Sequence, residues 1–191
     1  IDLITPTQFL PTLIPALTPK LPVPVVYNCG GYERVETLGR LEGLVDIYLP
    51  DMKYMDPVLA KKLSRAADYP HIARAAIREM VRQTGPIGWD GDKVVRGTII
   101  RHLILPGQVE NSLKVLDWIG DTFRPGEVLV SLMRQYTPVG NQQPPMDRRI
   151  TDEEYDSVLS WMFLNELEGF TQESGSADTG FIPDFQGGSA A

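Results

Sequence analysis

Val45-Asp46-Ile47-Tyr48-Leu49-Pro50-Asp51-Met52-Lys53 is the stretch on which the fold turns. Ile47-Tyr48-Leu49 has the β-branched and aromatic character of a strand, and Pro50 stops it. Asp51 and Lys53 then stand two residues apart, and Asp56-Pro57 follows as an N-cap and a first helical residue. The order is strand, charged loop, helix. In α/β folds the carboxyl ends of strands are where sites are built. An exposed ion pair with no function, worth little in stability, would leave the same trace.

Outward from this unit, short apolar runs alternate with helical patterns. Strands are expected at residues 1–4, 24–27, 46–49, 94–105 and 127–133, with a last one at Phe170-Thr171. Helices are expected at 8–17, weakened by Pro11 and Pro15, and at 33–40, 57–67, 70–83, 109–122 and 151–166. In the last of these, Thr151-Asp152-Glu153-Glu154 forms a capping box. Tyr155, Val158, Leu159, Met162 and Phe163 form one apolar stripe there, read as core. Residues 84–93, with three glycines and Pro86, and the Pro/Gln-rich 134–149 read as loops.

Strand–helix alternation predicts parallel βα units with right-handed crossovers. Six such strands in one wound sheet give an α/β fold, a partial TIM-like (β/α) barrel. Residues 1–173 are expected to form this portion and 174–191 a Gly/Ser-rich tail. There is no initiator methionine, and Ile1-Asp2-Leu3-Ile4 already reads as a strand. The chain is therefore expected to be a fragment lacking its first βα units, with an open sheet and an exposed N-terminal edge.

Composition narrows the function. Hydrophobic residues make up 42% and charged residues 23%, which fits a globular protein. No apolar run approaches the ~20 residues of a membrane helix. Nine of the 25 acidic residues and none of the 18 basic ones lie at or after Thr151, so the acidity is terminal and the body is near neutral. No Lys/Arg cluster with interleaved aromatics marks a nucleic-acid surface. Cys29 is the single cysteine, which excludes an internal disulfide and suits the cytoplasm.

Polar residues recur just past the strands: Thr5 and Thr7, Asn28, Asp51 and Lys53, Gln135, then Gln172 and Glu173. In a barrel these meet on one rim. Between Thr98 and Leu105 the side chains alternate, Ile99, Arg101 and Leu103 on one face and Ile100, His102 and Ile104 on the other. An inward arginine needs a partner, either a ligand carboxylate or a structural aspartate. His71 and His102 lack metal-ligand spacing and read as structural. Gly30-Gly31 reads as a turn, since no phosphate-binding glycine motif is present. From the residues alone the chain is an α/β barrel-like domain with a polar rim and no assigned reaction.

Several stretches taken together resemble radical S-adenosylmethionine proteins of the pyruvate formate-lyase activating-enzyme type, in an uncharacterised branch. They are Thr5-Pro6-Thr7-Gln8-Phe9, Val26-Tyr27-Asn28-Cys29-Gly30-Gly31-Tyr32-Glu33, residues 45–54, Arg101-His102-Leu103-Ile104-Leu105-Pro106-Gly107 and Ser131-Leu132-Met133-Arg134-Gln135-Tyr136. Gly169-Phe170-Thr171-Gln172-Glu173 and Phe181-Ile182-Pro183-Asp184-Phe185 complete the set. The resemblance implies a partial barrel holding a 4Fe-4S cluster and S-adenosylmethionine. The cluster reductively cleaves the cofactor to a 5′-deoxyadenosyl radical, which abstracts hydrogen from a substrate, for activating enzymes a glycine of a glycyl radical enzyme. Asp51 and Lys53 match the family's Asp-x-Lys near the cofactor. Arg101 and Leu103 match the strand meeting ribose and adenine, and Asn28 the polar residue ending the preceding strand. Gln135 or Tyr136 falls where the family has a cofactor-contacting histidine. The cluster motif CxxxCxxC and the Gly-Gly-Glu segment of the family lie upstream of Ile1, so this chain alone is expected to be inactive and unable to bind the cluster, which needs several thiolates. Two other readings stay open: a barrel lyase or aldolase using Lys53 as a Schiff-base nucleophile with Asp51 moving protons, and a non-catalytic small-molecule binding module.

Overall fold

The computed structural model describes residues 1–172. Glu173, the 174–191 tail and the 181–185 match lie outside the described residues. Among the described residues seven strands form one sheet: β1 (Asp2–Ile4), β2 (Val26–Cys29), β3 (Ile47–Pro50), β4 (Gly88–Asp90), β5 (Lys93–Leu103), β6 (Val128–Met133) and β7 (Gly169–Phe170). The helices are α1 (Leu10–Ala16), α2 (Val35–Gly39), α3 (Pro57–Ser64), α4 (Tyr69–Thr84), α5 (Val109–Thr122) and α6 (Asp152–Leu164). The sheet order is β1-β2-β3-β5-β6-β7, every neighbour parallel, and it is open. All six expected strands sit in it, in sequence order as a wound α/β unit requires.

Two expectations need correction. Residues 84–93 are not all loop: β4 pairs antiparallel with the start of β5, Asp90 opposite Lys93. The two-residue turn Gly91-Asp92, with Gly91 at φ 58°, is the hairpin signal that reading overlooked. In α6, Tyr155, Val158 and Met162 are buried, but Phe163 is 65% exposed. The apolar stripe is one residue narrower than its composition suggests.

The strand pleat sorts the molecule into two faces. Tyr27, Cys29, Tyr48, Ile100, Val130 and Leu132 point to one side and join the two cores built with the helices. Ile77 of α4, Leu116 and Ile119 of α5, and Val158 of α6 close one core, while Leu38 of α2 and Met80 of α4 close the other. Burying such side chains contributes about 1.5–3 kcal/mol each. The alternate residues are Val26, Asn28, Ile47, Leu49, Ile99, Leu129 and Ser131, with Asp51 and Arg101 at the end. None of them belongs to a helix-packed core among the described residues. Helices thus cover one face; on the other Ile47 and Leu129 are buried as well, and the polar residues stand towards the carboxyl ends of the strands. β1 is a free edge beyond β2, with Ile1 and Ile4 exposed.

Candidate functional site

Asp51 follows β3 directly and is bridged in parallel to Arg101 of β5. The backbone therefore places a carboxylate beside a guanidinium on the uncovered face. Arg101 Nη2 lies 2.7 Å from Asp51 Oδ1, and Lys53 Nζ pairs with Asp51 Oδ2. The side chain of Asp51 is 14% exposed, that of Arg101 26% and that of Lys53 40%. The aspartate is thus the inner member, flanked by two cations that water reaches. Arg101 Nε is buried and has no hydrogen-bond partner. Of the two partners foreseen for an inward arginine, the structural aspartate is present, and one donor is still left over.

Asn28 lies on the same face, in register with Leu49, two residues before Asp51 on the neighbouring strand. Its backbone carbonyl accepts from Thr5 N at 2.8 Å. Leu103 continues the Arg101 face to the end of β5 and, with Lys53, lines a cavity of about 330 Å³. Tyr54, Leu63, Leu105, Tyr136 and Met146 supply most of its other walls, with Ser64 and Gln142 adding polar edges, so it is largely apolar. Such a volume is at the small end for a ligand pocket. Tyr136 donates to Met146 O at 2.8 Å and so holds the 134–149 loop over it. Gln135 stands on the same rim but turns to Gln172, whose Nε2 donates to Gln135 Oε1 at 3.0 Å. Asp51, Lys53 and Arg101 are therefore brought together; Asn28 stands on the neighbouring strand, Leu103 borders the Lys53 cavity and packs on the helix-side core, and Gln135 is further along, past β5.

The loop carrying Asp51 and Lys53 is unusually well held. Asp51 N donates to Cys29 O and Met52 N to Arg101 O, each at 2.9 Å. The Tyr69 hydroxyl accepts from Lys53 N at 3.0 Å and has Asp51 O and Gly30 O, at 2.8 and 3.0 Å, as acceptors for its one proton. His102 Nδ1 lies 2.7 Å from Met52 O, and a carbonyl only accepts, so Nδ1 carries the hydrogen. Its Nε2 then accepts from Ser112 Oγ at 2.8 Å. Burial lowers the pKa of His102 to about 4, which keeps that neutral tautomer. Asn111 Nδ2 donates to Lys53 O at 3.0 Å, and its Oδ1 accepts from Met55 N at 2.8 Å. His102 is thus structural, as its lone position suggested.

The Gly30-Gly31 turn is part of the same arrangement. At Gly31 φ is 76°, and a Cβ there would stand 2.1 Å from Asp51 O. The close approach of two loops, not a phosphate, requires the glycine. Beside it lies a group that reading did not single out. Glu33 is 5% exposed and accepts from Thr7 Oγ1 at 2.6 Å, and Tyr27 OH is 3.2 Å from the same Thr7 oxygen. Burial raises the Glu33 carboxyl, with the Thr7 hydrogen bond opposing. Tyr69, Asn111 and Ser112 were missed as well: nothing local marks a helix residue whose partners lie on another element, 10 to 58 positions away.

Two cofactors can be tested against these residues. Cys29 is 2% exposed, and burial, with Glu33 and Asp51 nearby, pushes its thiol up to about 12, against a bond from Gly31. Among the described residues no three His, Cys, Asp or Glu side chains could hold a metal ion. An iron–sulfur cluster does not fit the residues present. S-adenosylmethionine does fit: an orphaned arginine donor, a carboxylate between two cations and an apolar cavity offer partners to its hydroxyl, charged and ring portions.

The chain matches no family model. It is 29% identical over 140 residues to an uncharacterised protein of Methanocaldococcus jannaschii. That match takes in 72% of this chain but 37% of the relative, so the chain spans little more than a third of the relative's length. The structure also superposes on a domain of pyruvate-formate lyase-activating enzyme from Bacteroides vulgatus, with a TM-score of 0.66 at 13% identity. The superposition covers 91% of this chain and 98% of that domain. The chain shares that domain's fold. The open parallel sheet, with helices on one face, is the architecture expected from the βα alternation. No helix among the described residues is long and apolar enough to cross a membrane.

Proposed function

We propose that the uncovered end of the sheet binds S-adenosylmethionine, as part of a longer protein of the radical S-adenosylmethionine type. The observation that carries this reading is Arg101. It is fixed by Asp51 on the bare face, and its Nε is buried without a partner. A desolvated donor without an acceptor is costly, and a ligand oxygen relieves that cost. In this reading Asn28 and Asp51 take the polar end of the ligand, with Lys53 beside them. Arg101 donates to a ribose hydroxyl, and Leu103 forms an apolar wall for the ring, with the Lys53–Tyr136 cavity next to it. Gln135, or the neighbouring Tyr136, closes the far side.

When bound in such a protein, S-adenosylmethionine supplies a 5′-deoxyadenosyl radical that takes hydrogen from a substrate. The thiolates for a 4Fe-4S cluster come, in this reading, from residues outside this sequence, because Cys29 is buried and alone. By likeness to the activating enzyme, a glycine of a partner enzyme is the substrate class. The cytoplasm is the compartment this chemistry suits. Nothing favours the aldolase reading: Lys53 is ion-paired with Asp51 and 40% exposed, and a carboxylate partner with access to water favours the ammonium over the free amine that a Schiff-base nucleophile needs.

The test is a titration of the chain with S-adenosylmethionine, followed by amide NMR. Shifts should move at Asn28, Arg101 and Leu103 in the micromolar to millimolar range, and Arg101→Met should abolish them. No movement at millimolar ligand in a folded chain, or an unchanged response in Arg101→Met, would overturn the reading.

A further inference from the structure

We propose that Asn111, on the helix-covered side of the sheet, is a positioning residue that sets where the Lys53 ammonium stands at the rim; its effect on cofactor affinity rests on the S-adenosylmethionine reading above. Asn111 is 6% exposed in the first turn of α5. A buried amide needs partners, yet Asn111 spends neither half on its own helix. Gln108 is the N-cap of α5, and no side chain caps that end. Both bonds of Asn111 run instead to the loop after β3, the carbonyl of Lys53 and the amide of Met55. A polar side chain that bypasses its helix end to hold a loop 56 and 58 residues away acts on that loop.

The division of labour within the loop makes the effect specific. Asp51 and Met52 keep four anchors without Asn111: Cys29 O, Arg101 O, the Tyr69 hydroxyl and His102. Lys53 keeps only the Tyr69 contact at its amide. Without Asn111 the Lys53 carbonyl and the Met55 amide both lose their partner; Tyr54 between them stays buried with its hydroxyl on Ser64, so the freedom gained is confined to the Lys53 carbonyl and the peptide unit it belongs to. The long Lys53 side chain, 40% exposed, then has its ion pair with Asp51 as the polar bond that holds its ammonium. Such a pair between water-accessible groups holds a flexible chain weakly. Removal of Asn111 should therefore loosen Lys53 and leave Asp51 and Arg101 in place.

The experiment reads the free chain first. In Asn111→Ala the nuclear Overhauser contacts between the Lys53 and Asp51 side chains should disappear, while those between Asp51 and Arg101 persist. S-adenosylmethionine should then bind about five- to tenfold more weakly, the worth of about one hydrogen bond. In a Lys53→Met background the same substitution should cost no further affinity, which a merely structural role would not predict. Retention of the Lys53–Asp51 contacts in Asn111→Ala overturns the proposal, as does an equal loss of affinity with and without Lys53. If the contacts vanish but the unmodified chain binds no S-adenosylmethionine, positioning stands and the cofactor reading fails. Should Asn111→Ala not fold, Asn111→Asp serves: it still accepts from Met55 N but sets a carboxylate against the Lys53 carbonyl, and the same two criteria apply.

Discussion

Acid should weaken this fold through one imidazole. His102 is fully buried, held neutral between Met52 O and Ser112 Oγ, and its pKa lies at about 4. In the unfolded chain it returns to about 6.5. The unfolded state therefore takes up a proton below about pH 6.5, and the fold takes it up only below about pH 4. Stability from this group is complete above the unfolded value, falls as pH drops between the two, and levels off beneath the folded one. At about pH 4.5 the linkage amounts to about 2.5 kcal/mol, a sizeable part of the ~5–15 kcal/mol that holds a domain together. Urea unfolding of the native chain and of His102→Gln, at about pH 7.5 and about pH 4.5, isolates it. Glutamine can occupy both hydrogen bonds and does not titrate. The native chain should lose about 2.5 kcal/mol more than the variant over this interval. Equal losses would refute the assignment, since every other titrating group is common to both proteins and cancels.

Three further outcomes are open to measurement. Gly31→Ala should destabilise by about 1–3 kcal/mol from its backbone conformation alone, and by more because its Cβ meets Asp51 O; a thermal melt within a degree of the native chain would contradict the close approach. Tyr69→Phe should cost about 1–3 kcal/mol by leaving the Lys53 amide unpaired, and hydrogen exchange should quicken at Lys53 before it does in β6. Glu33→Gln should raise the melting temperature at neutral pH and do so less in acid. The raised carboxyl of Glu33 stabilises the fold when protonated, below its ordinary range, and this is lost as pH rises through the folded value; an unaltered pH profile would mean that Glu33 is paired or solvated.

Much of the architecture was legible because it rests on local chemistry. The strand at residues 46–49 stops at a proline, Asp56 caps α3 by accepting from Val58 N, and the Thr151 capping box forms as its spacing demands. Alternation along β5 also put Arg101 and His102 on opposite faces, as the pleat requires. The hairpin of β4 escaped because three residues with a glycine carry little strand propensity, and only the turn betrayed it. The residues that hold the Asp51–Lys53 loop were illegible for a different reason. Tyr69, Asn111 and Ser112 each look like an ordinary helix residue until the chain brings α4 and α5 against the end of β3. Glu33 reads as the start of a short helix, and its burial depends on Thr7 arriving from the turn after β1.

The neighbours Arg101 and His102 also act as a lock on strand alignment. A shift of β5 by one position relative to β3 would turn the guanidinium in among Ile77, Leu116 and Val130 and turn the imidazole out into water. An unpaired buried charge costs several kcal/mol, and the hydrogen bonds to Met52 and Ser112 would be lost at the same time. Because both side chains resist the same one-position error, a misthreaded sheet is not a near-degenerate competitor of the native one. The residue paired with Asp51 and the residue that faces the core thus guard each other's place, and replacing both together should admit slipped sheets that neither single change allows.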